Sequence, residues 1–176
     1  MKINSTKFKG LKIINFQSYK DIRGRLTKTF NNKYKSVKFR CFESYISVSR
    51  KGTIRGLHGQ VGKYSQKKLI FCISGRALDI SIDLRKNSKT FGKIFKKILD
   101  SKNFTGLIIP KGFVHGVIIL KKNTTLITYC SSPYNPKKEF GVNINSIKLK
   151  LPKMKFFVSK KDKNLIDLNT LIKNKN

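Results

Sequence analysis

Residues 69–84 read LIFCISGRALDISIDL, and their pattern decides the class of fold. Leu69 to Ser74 form an apolar run that stops at Gly75. From Ala77 onward the chain alternates, so that Leu78, Ile80, Ile82 and Leu84 share one face and Asp79, Ser81 and Asp83 the other. A period of two belongs to a β-strand, because successive side chains of an extended backbone point to opposite faces. The stretch reads as a β-hairpin with Gly75 in its turn. Downstream, GLII at 106–109, the turn Pro110-Lys111-Gly112 and FVHGVIIL at 113–120 make a second strand-turn-strand unit. Lys121-Lys122-Asn123 then leads into TLITYC at 125–130. Further strands are expected at 12–16, 26–30, 39–48 and 147–151. Short strands at close spacing, with Gly and Pro turns and almost no helical periodicity before residue 160, indicate an all-β sandwich, jelly roll or barrel. The tail 163–173 (KNLIDLNTLIK) is expected to form one short amphipathic helix with Leu165, Leu168 and Leu171 or Ile172 inward.

The chain has 176 residues, 39% apolar and 11% aromatic, which suffices for one domain with its own core, taken as 1–176. Phe, Ile, Leu and Tyr recur throughout, which argues against disorder, and no fixed-period repeat is present. No apolar run approaches the roughly 18 residues that span a bilayer, and Met1–Gly10 has Lys at 2, 7 and 9 without an apolar segment behind them. The expectation is a soluble, cytoplasmic protein with no membrane partner. Cys41, Cys72 and Cys130 are odd in number, widely spaced and free of CxxC pairs, so they are read as reduced thiols. The net charge is +32, but Arg occurs only at 23, 25, 40, 50, 55, 76 and 85 and the numerous Lys are dispersed. A field this positive attracts anions; without clustering it does not define a specific nucleic-acid face.

The two histidines sit in glycine-flanked settings, Arg55-Gly56-Leu57-His58-Gly59-Gln60 and Gly112-Phe113-Val114-His115-Gly116. Glycine beside a polar strand residue lets a ligand or another backbone come close. A lone His of this kind is ordinarily a satisfied interior group, but two such settings in a histidine-poor chain point to a site. Two His without an HxH pair do not make a catalytic metal centre unless distant carboxylates complete it, so no metal is expected. None of the Cys has an activating context. Acid–base work by a His paired with a carboxylate remains, drawn from Asp21, Glu43, Asp79, Asp83, Asp100, Glu139, Asp162 and Asp167.

A set of ordered motifs carries this further: Asp21-Ile22-Arg23-Gly24 followed by Phe30, Ile54-Arg55-Gly56-Leu57-His58-x-Gln60, Lys68-Leu69, and Asp83-Leu84-Arg85-x-x-Ser88-x-Thr90-Phe91-Gly92. Ile109-Pro110-x-Gly112-Phe113-x-His115-Gly116, Tyr134-x-Pro136-x-x-Glu139 and Ser159-x-Lys161-Asp162 follow in the same order. Together, over about residues 8–168, they resemble the dTDP-4-dehydrorhamnose 3,5-epimerase family of cupin-fold sugar-nucleotide epimerases. The resemblance implies an antiparallel double-stranded β-helix, the cupin jelly roll, and a reaction without metal or cofactor. A His removes the C3 and C5 protons of a dTDP-4-keto-6-deoxyhexose, and an acid returns a proton on the opposite face. By position His58 matches the base, Asp162 its carboxylate partner, and Lys68 the lysine that stabilises the enolate oxygen. Arg23, Arg55, Gln60, His115, Glu139 and Lys161 match positions that line the site or hold the nucleotide. The resemblance also implies a homodimer with exchanged N-terminal strands, the strand around 23–30 closing the partner's site.

The departures are equally specific. The family's general-acid tyrosine falls at Thr128, and Tyr129 next door would face the site only through a bulge. Lys28, Glu43-Ser44-Tyr45 and Leu151-Pro152 stand where the family has Glu, Gln-x-Asn and Trp-Pro. Three readings follow in order: an isomerase inverting C3 and C5, or C3 alone, or a drifted relative acting on another nucleotide sugar; a nucleotide-sugar-binding module without catalysis; and a polyanion binder.

Overall fold

The computed structural model describes residues 2–29 and 39–173. The chain forms β1 (Lys2–Ser5), β2 (Lys12–Asn15), β3 (Ser18–Asp21), β4 (Gly24–Thr27), β5 (Glu43–Ser49), β6 (Ile54–Gln60) and β7 (Lys68–Ser74). It continues through β8 (Arg76–Asp83), β9 (Ile94–Asp100), β10 (Thr105–Ile109), β11 (Phe113–Ile119), β12 (Thr124–Cys130) and β13 (Glu139–Gly141), and ends in α1 (Lys160–Lys163) and α2 (Leu168–Lys173). A six-stranded sheet in the order β1-β2-β10-β7-β12-β5 faces a five-stranded sheet in the order β13-β6-β11-β8-β9; β3 and β4 form a separate hairpin. All strand ladders are antiparallel, which gives the double-stranded β-helix expected.

The quoted stretch folds otherwise than as a hairpin. β7 pairs with β10 and β12, whereas β8 pairs with β11 and β9, so Gly75 carries the chain from one sheet to the other. At φ +82° and with the place of a Cβ 2.3 Å from the Thr124 Oγ1, only glycine fits that crossing without strain. β10 and β11 likewise belong to opposite sheets, linked over Pro110-Lys111-Gly112. Alternation along a strand shows that one side packs differently from the other; it does not show which sheet the strand joins.

Three apolar clusters account for the patterns. Ile70, Cys72, Ala77, Leu99, Leu107, Ile109, Val117, Ile119 and Leu126 fill the space between the sheets together with Phe8 and Leu11. Ile80, Ile82, Leu84, Val114 and Ile118 lie on the other side of the five-stranded sheet, under Val142, Ile144, Ile147 and Leu168 from the C-terminal segment. Leu69, Phe71 and Ile108 pack with Ile14, Phe16 and Phe39 on the far side of the six-stranded sheet. β8 is therefore buried on both faces, and its polar face, Asp79, Ser81 and Asp83, points into the interior at 0% exposure.

Four expected boundaries shift. Residues 147–151 form no strand: the Leu149 N–H donates to the Ile147 carbonyl at 2.8 Å, a tight turn, while Leu149 and Leu151 pack onto the second cluster. The C-terminal helix expected at 163–173 is confined to Leu168–Lys173, because α1 ends at Lys163 and Ile166 is held in an isolated bridge to Val142, the Asn143 N–H donating to the Ile166 carbonyl at 2.9 Å. Leu168 is buried and Leu165, Leu171 and Ile172 are half-buried, so the inward face is as expected. The strand expected at 39–48 begins only at Glu43, and that expected at 26–30 ends at Thr27 in β4; Phe30 lies outside the described residues. Among the described residues no helix is long and apolar enough to cross a membrane.

Candidate active site

β6 and β11 approach at Gly56 and Gly116, and their register slips there: His115 opposes His58, but Val117 opposes Arg55. β6 thus holds one residue more than β11 over that span, a bulge that resets its alternation. Ile54 and Leu57 pack outward in the same cluster, while Arg55 and His58, three positions apart, both line the interior. A Cβ on Gly56 would stand 2.6 Å from the His115 carbonyl, and Gly56 has φ +103°.

His58 projects into a cavity of about 420 Å³ lined by Glu43, Tyr45, Gln60, Lys68, Tyr134 and Glu139 among others. A deeper recess of about 70 Å³ adds Arg55, His115 and Thr128 to His58, Lys68 and Tyr45. The His58 Nε2 lies 2.8 Å from the Asp162 Oδ1, and the Asp162 Oδ2 accepts from the Gly56 N–H at 3.1 Å. A buried carboxylate that accepts from Nε2–H leaves the lone pair on Nδ1, the nitrogen that turns toward Glu139, whose Oε1 is 3.8 Å away. Asp162 itself is fixed by the first turn of α1, where its N–H donates to the Ser159 hydroxyl at 3.1 Å.

A second pair lies behind the first. The His115 Nε2 meets the Asp79 Oδ2 at 2.6 Å, and the Ser81 hydroxyl donates to the other Asp79 oxygen at 3.3 Å. On the opposing sheet Lys68 extends from the start of β7, with Cys130 as its cross-strand neighbour. Desolvation pulls the Lys68 ammonium below its ordinary pKa, while Cys130 and the carboxylates of Glu139, Asp79 and Glu43 act the other way. Lys161 forms an ion pair with Glu139, which raises its pKa, and the Tyr134 hydroxyl donates to the same Glu139 oxygen at 3.3 Å.

The fold therefore gathers His58, Lys68, Arg55, His115, Thr128, Gln60 and Glu139 around one opening, with Asp162 behind His58 and Lys161 paired to Glu139. Gln60 has both amide hydrogens donated to backbone, to the Tyr64 and Pro133 carbonyls at 3.0 and 3.2 Å, and its oxygen accepts from the Asn135 N–H at 2.6 Å. It fixes the rim of the cavity. Arg23 stands apart, on the exposed β3–β4 hairpin, where it pairs with Asp21 at 2.5 Å. Tyr129 faces away from the cavity and stacks on Phe71 at 6.2 Å; the β12–β7 register shift falls between Thr125 and Leu126, so Thr128 keeps the inward position. Sequence reading named Glu43 and Asp79 only among eight candidate carboxylates and Glu43-Ser44-Tyr45 only as a departure from the family's Gln-x-Asn, and it did not single out Gln66. Glu43 and Tyr45 were recoverable from alternation along β5 once its partner strand was known. Among the described residues no three His, Cys, Asp or Glu side chains come together as a metal-ligand cluster.

A family model described as dTDP-4-dehydrorhamnose 3,5-epimerase matches residues 5–170. The chain belongs to this family. The family's Shigella flexneri dTDP-4-dehydrorhamnose 3,5-epimerase is 32% identical over 172 residues, 93% of this chain and 94% of that one. A crystal structure of the Elizabethkingia anophelis enzyme superposes with TM-score 0.88 at 34% identity, covering 97% of each chain. A Legionella pneumophila dTDP-6-deoxy-D-glucose-3,5-epimerase, solved in complex with dTDP-4-keto-L-rhamnose, matches with TM-score 0.90 at 31% identity, covering 99% of this chain and 96% of that one. The chain is thus a nucleotide-sugar epimerase, an isomerase.

Proposed function

We propose that the epimerase inverts C3 and C5 of a dTDP-4-keto-6-deoxyhexose, with His58 as base. The observation that carries this reading is the His58–Asp162 pair, opening on a cavity whose far wall presents Lys68. A ketone at C4 acidifies the hydrogens on both neighbouring carbons. The His58 Nδ1 takes one of them, and the C–H electron pair moves onto the ketone oxygen as an enolate. Asp162 stabilises the imidazolium that results, and Lys68, its ammonium more acidic than usual, stabilises the enolate oxygen. A proton delivered to the opposite face completes inversion. The Legionella neighbour, holding a dTDP-4-keto sugar in the same fold, supports the choice of substrate class.

Arg55 and His115, with Thr128, line the recess where the sugar would sit, and Lys161 with Glu139 lies at the mouth, suited to the charged nucleotide. Arg23 is not among the described residues that line the His58 cavity of its own chain; an exchanged hairpin in a homodimer would bring it to the partner's. The free thiols of Cys41, Cys72 and Cys130 support a reducing, cytoplasmic setting. Inversion at C3 alone is the second reading, favoured by the absence of a phenol at position 128.

The test is incubation with dTDP-4-keto-6-deoxyglucose in deuterium oxide, following the C3 and C5 proton signals by NMR. Loss of both signals is expected for the wild type, and His58→Asn should abolish exchange at C3. Unchanged exchange in that variant would refute His58 as base. Loss of the C3 signal alone in the wild type would establish the second reading.

A further inference from the structure

Inversion needs a proton donor on the wall opposite the base, and position 128, which lies on that wall, carries only a threonine. Thr128 sits on β12, directly opposite Tyr45 on the neighbouring strand β5. Cross-strand partners place their Cβ atoms about 5 Å apart on one face, so a side chain as long as tyrosine starting at 45 reaches the space that one starting at 128 would fill. Tyr45 lines both the main cavity and the deeper recess, as do His58 and Lys68. β5 and β12 lie in the six-stranded sheet, β6 with His58 in the five-stranded one, so phenol and imidazole face each other across the cavity.

From this juxtaposition we infer that Tyr45 is the general acid of the reaction, the phenol having moved one strand sideways while Thr128 makes room for it. The inference rests on the epimerase reading of the cavity. The Tyr45 O–H protonates the enolate carbon on the face opposite His58. The enolate electron pair forms the new C–H bond, the ketone is restored, and the phenolate and imidazolium then return to their resting states by proton exchange with water.

The phenol enters the reaction protonated. Burial pushes the Tyr45 phenol up to about 12, with Cys130 and Glu43 adding to the rise and the Thr128 hydrogen bond and Arg55 opposing it, so the group holds its proton at neutral pH. The residue as a whole is 46% exposed while its phenol is desolvated within the cavity it lines, where a substrate would enter. Tyr134, the other phenol of the cavity, is engaged with Glu139 and Lys161.

The experiment compares deuterium exchange with inversion in Tyr45→Phe. Without the acid, His58 still removes a proton and returns a deuteron to the same face. Exchange at C3 should therefore persist within about tenfold of wild type while inverted product falls at least 100-fold, the lower range for loss of a general acid. The exchanged pair Tyr45→Thr/Thr128→Tyr should recover inversion at least tenfold over Tyr45→Phe. Inversion by Tyr45→Phe within threefold of wild type would overturn the assignment. So would a parallel fall of exchange and inversion, or the selective loss of inversion in Tyr134→Phe instead. A wild type that exchanges neither proton would overturn the epimerase reading and the acid with it, whereas wild-type turnover with an unaffected Tyr45→Phe overturns Tyr45 alone.

Discussion

Asp162 and His58 meet at 2.8 Å although 104 positions of chain separate them. The Asp162 carboxylate uses its second oxygen on the Gly56 N–H, so it fixes the bulged strand as well as the imidazole. Asp162→Asn keeps an acceptor for that amide but removes the charge opposite the imidazolium. We expect kcat to fall by about 10²-fold or more, with dTDP affinity and melting temperature nearly unchanged. Steady-state kinetics beside calorimetric titration of dTDP separate the two effects; a fall in affinity matching that in kcat would contradict a role confined to the base.

Asp83 anchors a second polar knot, accepting from Arg85 at 2.7 and 2.8 Å, Ser88 at 2.5 Å and Thr90 at 2.6 Å. Burial alone would raise its pKa, but these hydrogen bonds outweigh that and hold it down to about 2. A carboxyl depressed in the folded state contributes stability that is present above its unfolded pKa and lost as pH falls through the folded one. The contribution, on the order of 2 kcal/mol, should be intact above pH 4 and fade between about pH 4 and 2. Urea denaturation of wild type and Asp83→Asn across that range should show a difference that narrows toward pH 2. A gap independent of pH would show that the charge is not what stabilises the knot.

How far the site was legible depends on which level of structure fixes each residue. His58 and His115 stood out from their glycines, and Lys68 and Asp162 from the order of motifs, because each is set by local sequence. Arg55 is different: strict alternation on β6 would turn it away from His58, and only the bulge at Gly56 brings both to one face. Asp79 alternates with Ile80 as a solvent-facing residue would, and becomes a site residue only because β8 has both faces covered. Tyr45 acquires meaning from lying beside Thr128, a relation of strand order that no single strand records. The same ignorance of strand order makes 69–84 read as a hairpin when the chain in fact changes sheets at Gly75.

Gly56 and Gly24 separate backbone strain from steric conflict. Both have positive φ, +103° and +121°, yet a Cβ on Gly24 meets nothing within 4 Å, whereas one on Gly56 meets the backbone of His115 and Gly116 at 2.6 and 2.9 Å. Gly24→Ala should cost about 1 kcal/mol of stability and Gly56→Ala about 3 kcal/mol or more, with loss of activity, because β6 and β11 must separate. Equal destabilisation of the two variants in chemical denaturation would show that conformation and not the close approach sets the demand for glycine.

The β3–β4 hairpin carries Ile22 fully exposed at 105%, with Leu26 and Tyr19 more than half exposed, beside the Asp21–Arg23 pair. Apolar side chains gathered on so small an element are expected to be covered in an assembly, and the proposed dimer with an exchanged hairpin would cover them while delivering Arg23 to the partner's cavity. Arg23→Ala should then raise KM about tenfold or more through loss of a charged contact to substrate phosphate. Mixed dimers decide whether the contact crosses between subunits. A heterodimer of Arg23→Ala and His58→Asn chains has one site carrying both defects and one carrying neither. Random pairing at equal amounts should therefore recover about one quarter of wild-type activity at low substrate, a share fixed by dimer statistics. No recovery beyond the sum of the two parent variants would mean that Arg23 serves its own subunit or none.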